Sequence, residues 1–465
     1  MNPLTDPAQI HALTGLFELV LPEIALVGTA CLLFLAGLFA SNRFLHAVIA
    51  LGGLTAAAAL AFLEDAALPA VTAPAVYTPI LAGPAAVFAR WLVMGVGFVL
   101  VFLSLRETRG IAAEYFGCLL VALAGTSLVA RSNDLVFLYL ALEMISIPTY
   151  VLLYLPTRGK PGQEAAVKYF LLSVLSSAVT LFGFSYLYGL AGSTNLTAIG
   201  SAFATANAQA ISPLGVLAAV FAVAGIAFRI TAVPFHYYAP DVYQGAPTSV
   251  AAQLAVLPKI AGFFALANLF GLNQRPFGDL PFPVATQVPL MFWVLAAATM
   301  TLGNAMALLQ DNLKRVLAYS GVAHAGYMLL GLVTATAFTG DDRPRYSNGF
   351  DAILFYLVAY ALMTLAVFAV LIHRSDDEGG AESVDDLAGL HRTHPVSAAV
   401  LLIALLSMVG MPLTAGFSGK LALFVGLFDA PTVNGMGTAY RILVVVAAIN
   451  AAIGAVVYLR ILGAV

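Results

Sequence analysis

The sequence predicts an all-α polytopic membrane protein with about thirteen transmembrane helices. Three observations carry that expectation. Of 465 residues, 61% are hydrophobic and only 9% charged, with a mean hydropathy of +0.96; soluble domains carry about 25% charged residues. Apolar runs of about 20 residues, long enough to cross a bilayer as a helix, recur along the chain. Five of the 20 lysines and arginines sit inside those runs: Arg90, Lys168, Arg229, Lys259 and Lys420, with Glu143 placed the same way. A cation at the centre of a span costs about 2.5–3.5 kcal/mol on insertion scales, less where the side chain reaches the interface. Such residues mark ion or proton paths.

Taken in order, the runs place spans at 15–40, 45–63 and 81–105, the third with Arg90 near its start. Spans at 111–130 and 134–155 follow, the latter with Glu143 at mid-length; 164–190 carries Lys168 about one turn in. The run at 213–238 holds Arg229 and Pro234, and 248–272 holds Lys259 directly after Pro258. The remaining spans are 286–310, 314–334 with His324, 350–373, 396–428 with Pro412 and Lys420, and 438–463. Connections are short apart from 191–212, 273–285, 338–349 and 374–395, so no soluble domain is expected.

Orientation follows from the loop cations, which favour the cytoplasmic side. With the N-terminus outside, Arg43, Arg106, Arg109, Arg158, Lys160, Lys314, Arg315, Arg374, Arg392 and Arg460 face the cytoplasm; Arg131, Arg275, Arg343, Arg345 and Arg441 face out. Ten against five predicts N-out and C-in. The first twenty residues hold no Lys or Arg, so a cleaved signal peptide is not expected. A net charge of -3 points to no nucleic-acid partner. Cys31 and Cys118 lie in apolar runs without Cys or His at ligand spacing and read as small hydrophobes, not a metal or iron–sulfur site. The acidic run Asp376, Asp377, Glu378, Glu382, Asp385, Asp386 reads as a solvated loop, and Asn195-Leu196-Thr197 as a chance sequon.

A proline inside a helix removes a backbone hydrogen bond and bends or breaks it. In a bilayer the freed carbonyls must then find another donor. Arg229 lies about one turn before Pro234, within reach of such carbonyls. In Gly410-Met411-Pro412 through Lys420, three glycines flank the proline and favour a loop between half-helices. A packing kink with a snorkelling cation is the competing reading of both. Glu143 sits between two influences: hydrocarbon favours the neutral carboxyl and a nearby cation the ionised one, so it can exchange a proton or form a static ion pair. Lys259 has the same balance. Lys168 is poised between path and interface, and Arg90 is expected to reach the interface. His324 and His236 are candidate proton relays, with a satisfied core histidine as the alternative for each. Glu164-Ala165 with Tyr169 recurs as Asp351-Ala352 with Tyr356, an offset of 187, and the two proline-interrupted spans fall in corresponding halves. That pairing points to an inverted-repeat transporter.

The segment Pro234-Phe235-His236-Tyr237-Tyr238-Ala239-Pro240-Asp241-Val242-Tyr243-Gln244-Gly245-Ala246-Pro247 resembles the stretch after the broken seventh helix in the antiporter-like subunits of proton-pumping NADH:quinone oxidoreductase, in the form typical of its N subunits. Lys314-Arg315-Val316-Leu317-Ala318-Tyr319-Ser320 and Gly410 to Lys420 resemble two further signatures, and Leu142-Glu143 and Lys168-Tyr169-Phe170 complete them from about residue 80 onward. The resemblance implies an antiporter-like fold of two inverted five-helix repeats, each with one broken helix (Pro234, Pro412). The domains it implies are 1–110 with three helices, a first repeat at 111–272 and a second at 286–465. It makes Glu143, Lys168, Arg229, Lys259 and Lys420 a proton path, without a cofactor in this chain. FMN, iron–sulfur clusters and quinone would belong to partner subunits, with subunit M and the subunit K side as neighbours, lipids around, and a bacterial inner membrane as location. A cation/proton antiporter subunit, or a scaffold with static ion pairs, is the alternative. Three departures stand out: Arg229 in place of a usual lysine, Tyr238 in place of a common tryptophan, and a usual fourteenth span after Tyr458-Leu459-Arg460 where this chain stops.

Overall fold

The computed structural model describes residues 17–67, 78–108, 110–155, 159–205, 213–272, 287–337, 349–374, 382–430 and 436–465. Of the expected loop charges, Arg109, Arg158, Arg275, Arg343, Arg345 and Asp376 to Glu378 lie outside these residues. The described residues form helices and a few isolated bridges, in two compact units: Met1–Pro156 with Ser193–Ala198, and Thr157–Gly192 with Ile199–Val465. Every expected span position carries an apolar helix. Among the described residues, ten helices are long and apolar enough to cross a membrane, and four shorter apolar ones accompany them.

The first unit holds α1 (Leu21–Gly37), α2 (Arg43–Ala67), α3 (Pro84–Ser104), α4 (Ala112–Arg131) and α5 (Leu135–Tyr154). Pro22 and Pro84 open α1 and α3, where proline's missing N–H costs nothing. Asp134 caps α5 by accepting from Val136 N (2.8 Å) and Phe137 N (3.1 Å). α4 is the central element, 83% buried over its apolar window, whereas α2 at 39% leaves a broad apolar face outward, as a helix facing lipid does. At one end the backbone bridges Ile80 to Ser132 and Asp134 to Asn195, and the Asn195 side-chain amide donates to the Thr78 carbonyl. These three stretches are the ones expected on the outer side.

The second unit holds α6 (Lys160–Ala191), α8 (Pro213–Arg229), α9 (Ala239–Gly245), α10 (Thr248–Leu269), α11 (Gln287–Leu308), α12 (Leu313–Ala337), α13 (Gly349–Arg374), α14 (Pro395–Val409), α15 (Ala415–Phe428) and α16 (Gly437–Ala464). Between α6 and α8, α7 (Leu196–Thr205) occupies a stretch read from sequence as connection. Its start is set locally, Asn195 Oδ1 accepting from Ala198 N. α10 and α12 are buried over their whole apolar windows and form the core. Asn312 bridges Ser383, Lys314 Nζ donates to the Ala246 carbonyl (2.8 Å) and Arg315 reaches Asp241 (2.7 Å). So the stretches expected on the cytoplasmic side also meet at one end.

Two expected spans are interrupted, as their prolines suggest. α8 ends at Arg229, five residues before Pro234, because Thr231 takes a left-handed conformation (φ 57°). The span at 396–428 divides into α14 and α15, with Gly410 (φ 89°) and Leu413 (φ 74°) left-handed between them. A side chain at Gly410 would be strained there, and its Cβ would lie 3.2 Å from Lys420 Cδ.

Candidate functional site

The interruptions set free main-chain carbonyls, and different side chains take them. At the second break, Lys420 on α15 reaches back across the loop and donates to Met408 O (2.8 Å) and Val409 O (3.0 Å) at the end of α14. At the first, Tyr238 Oη donates to Phe228 O (3.0 Å), its ring stacked on Phe228 at 4.3 Å. The tyrosine at the departing position is thus the donor to that carbonyl. Arg229 is buried, with Nη2 3.5 Å from Ser177 Oγ on α6. Pro234 and Pro412 lie exposed within the two loops. His236 is half-buried beside Tyr319, ring centroids 6.4 Å apart.

Between the breaks, three expected residues come together. Lys259, at the middle of α10, is 1% exposed; its Nζ has no hydrogen-bond partner and lies 5.6 Å from the centroid of Tyr360. Gly321 leaves it room, since a Cβ there would stand 3.1 Å from Nζ. His324, on the next turn of α12, is fully buried with Nδ1 2.7 Å from Tyr356 Oη and Nε2 3.0 Å from Tyr458 Oη, which in turn meets Ser320 Oγ at 2.6 Å. Tyr360 lies 5.4 Å from the His324 ring and Tyr327 6.0 Å, both measured between centroids. Lys420 Nζ stands 4.9 Å from the Tyr327 centroid, closing a row Lys259–Tyr360–His324–Tyr327–Lys420. Every member can accept or release a proton, and the two ends are cations without a carboxylate within salt-bridge distance among the described residues.

The other expected residues have other surroundings. Lys168, on α6, is 41% exposed and pairs with Glu164 (2.7 Å) and with Asp241 of α9 (2.9 Å). Asp241 also accepts from Arg315 Nη1 at 2.7 Å, which leads on to Gln310 at 2.8 Å. Partial burial pushes the Asp241 carboxyl up, but Lys168 and Arg315 prevail and hold it below its ordinary value. The cavity of about 230 Å³ beside it is lined by Glu164, Lys168, Asp241 and Gln244. Glu143 lies half-buried at mid-length of α5 in the first unit.

Arg90 departs from expectation. It is not a free cation reaching out from the bundle: it is 2% exposed and paired with Glu23 (3.1 Å) and Glu64 (2.9 Å). Its partners come from α1 and α2, a juxtaposition no local spacing reveals. The tyrosines around His324 were also missed, although Tyr356 and Tyr360, four apart, share one face of α13.

A proline-broken helix pair in an all-helical membrane fold, with lysines and a histidine buried between, defines a class of ion-translocating membrane subunit. The chain belongs to the NADH:quinone oxidoreductase/Mrp antiporter transmembrane family, whose model matches residues 132–447. Within it, the chain is similar to NADH-quinone oxidoreductase subunit N of Anaeromyxobacter sp. (strain Fw109-5), 36% identical over 95% of this chain and 86% of the relative. It superposes on a chain of respiratory complex I from Thermus thermophilus with a TM-score of 0.76 at 30% identity, covering 96% of this chain and 89% of that one. A chain of the Mrp complex from Dietzia sp. DQ12-45-1b shares the fold, at TM-score 0.78 and 20% identity over 97% and 80%.

Proposed function

We propose that this chain is the N subunit of a bacterial proton-translocating NADH:quinone oxidoreductase and carries protons through its row of buried groups. The observation that carries this reading is the row from Lys259 through His324 to Lys420: Lys420 also satisfies the carbonyls of Met408 and Val409, but Lys259 is buried at mid-helix with no hydrogen-bond partner for its Nζ, which packing alone does not call for. Protons pass between Glu143 or Lys168 and Lys259, with Arg229 as a fixed charge; His324 relays between the lysines, and His236 serves beside the first break. Each broken helix belongs to one of two inverted repeats, 111–272 and 286–465, which follow the helices of 1–110 in the chain. Flavin, iron–sulfur clusters and quinone reside in partner subunits; subunit M and the subunit K side are the neighbours. The chain sits in the inner membrane with its N-terminus outside.

The test is proton uptake per NADH by assembled complex in vesicles. Glu143→Gln and Lys259→Ala are expected to leave assembly intact and to lower both pumping and coupled turnover, because an amide or a methyl group cannot exchange a proton. Assembled variants that pump like the wild type would refute the path. Complex lacking flavin and iron–sulfur partners would point to a cation/proton antiporter subunit instead.

A further inference from the structure

A second collection of buried ionisable groups lies in the first unit, drawn from α1, α2, α3 and α4. Arg90 Nε donates to Glu23 Oε1 (3.1 Å) and its Nη1 to Glu64 Oε2 (2.9 Å), while Arg131 Nη2 donates to Glu64 Oε1 (3.1 Å). Arg131 Nη1 stands 3.8 Å from Glu23 Oε2, and Ser127 Oγ donates to Glu23 Oε1 at 2.5 Å. Asp65 accepts from Trp91 Nε1 (3.0 Å) and lies 4.0 Å from Arg90. All five charged residues precede residue 132, where the family match begins, and none belongs to the row described above.

Their charges do not balance. Guanidinium groups stay protonated, so two arginines face three carboxylates and one negative charge is left over. The three acids are only 2–20% exposed, so the surplus charge is poorly hydrated, which favours a proton held among them. Among the described residues, Glu23, Glu64 and Asp65 form ion pairs with Arg90 and Arg131 and with no other cation; of the other acids in the unit, Glu18 is exposed and Asp134, at the start of α5, is occupied with Val136 N, Phe137 N and Thr194 Oγ1. Two carboxylate oxygens, Glu23 Oε2 and Asp65 Oδ1, are buried and accept no hydrogen bond, so a proton placed on either displaces no existing donor. Exposure rises from 2% at Glu23 through 12% at Glu64 to 20% at Asp65, which gives a proton a way in. Arg131 is also tied to Leu81, O to N at 2.6 Å, at the end of the unit where the expected outer stretches meet.

We propose that Glu23, Glu64 and Asp65, held by Arg90 and Arg131, form a proton-binding site that carries one exchangeable proton, entering and leaving at Asp65. The three acids share it, so the proton belongs to the cluster and not to one residue.

The experiment is infrared spectroscopy of the assembled complex in vesicles, following the C=O stretch of protonated carboxyl groups. Asp65→Asn is the mildest variant, because Asp65 is the most exposed acid and an amide oxygen still accepts from Trp91. The wild type is expected to show one protonated carboxyl per chain that is absent from Asp65→Asn, and from Glu23→Gln and Glu64→Gln alike. Any single neutralisation balances the two arginines, so all three remove the same band. In the wild type this band fades as the pH is raised. A fully ionised, static clamp gives no such band; equal carboxyl absorption in wild type and Asp65→Asn, or a band indifferent to pH, overturns the proposal. Should the Gln variants fail to assemble, the Asp65→Asn spectrum decides alone. The outcome is separate from the proton path, whose residues are untouched.

Discussion

Arg229 and Lys259 are both buried cations, yet their chemistry differs. An ammonium can give up its proton when water is withdrawn, whereas a guanidinium keeps its charge in proteins. Arg229 closes α8 beside the first break, and on the proposed path its permanent charge would set the potential felt by neighbours that titrate. Arg229→Lys is therefore expected to keep substantial pumping and Arg229→Met to lose most of it, measured as protons per NADH in matched vesicles. A methionine variant that assembles and pumps normally, or a lysine variant as inactive as methionine, would sink the fixed-charge role. The cations themselves were legible as charges in apolar runs. Their partners were not: Arg90 meets Glu23 at a separation of 67 residues, and Lys168 meets Asp241 at 73.

The broken helices show what an element adds to its residues. Proline marks each interruption in sequence, but the donors that satisfy the freed carbonyls arrive from elsewhere, Tyr238 from beyond the first loop and Lys420 from the second half-helix. α9, which follows the first break, is anchored by Asp241 to both Lys168 and Arg315. Asp241 is titrated below its ordinary value, so its contribution is complete above the ordinary carboxylate range and is lost as pH falls through the lowered value. Since the side chain is 40% exposed, solvent screening limits each pair to about 0.2–1 kcal/mol. Asp241→Asn is expected to lower the unfolding temperature of the complex slightly at neutral pH, with the two curves converging in acid. A constant gap at all pH values would show that the ion pairs are not the cause.

At the scale of the whole molecule, alternation along the chain makes a claim about sides. Within the first unit the stretches around residues 80, 132 and 195 meet, and within the second those around 241, 312 and 383 meet. The excess of loop cations assigns the first set to the outside. In a background where the two native cysteines are replaced by serine, Thr194→Cys is expected to react with an impermeant thiol reagent added outside intact cells. Asp385→Cys should react only in inverted membranes. The reverse pattern would turn the orientation round.

Composition and the periodic return of apolar runs settled the class of this protein, because a bilayer demands a long apolar helix for each crossing and leaves little else to choose. Charges in those runs and the two interior prolines marked the site, since each is costly in hydrocarbon and has to be used or satisfied. The arrangement of the site was decided by packing. The tyrosine cage of His324 draws Tyr356 from α13 and Tyr458 from α16, and the acid cluster draws Glu23 and Glu64 to Arg90. Those contacts span tens to more than a hundred residues, and a tyrosine or glutamate in a helix looks the same locally whichever neighbour it faces. Only the folded chain, by bringing particular helix faces together, determines which polar groups meet.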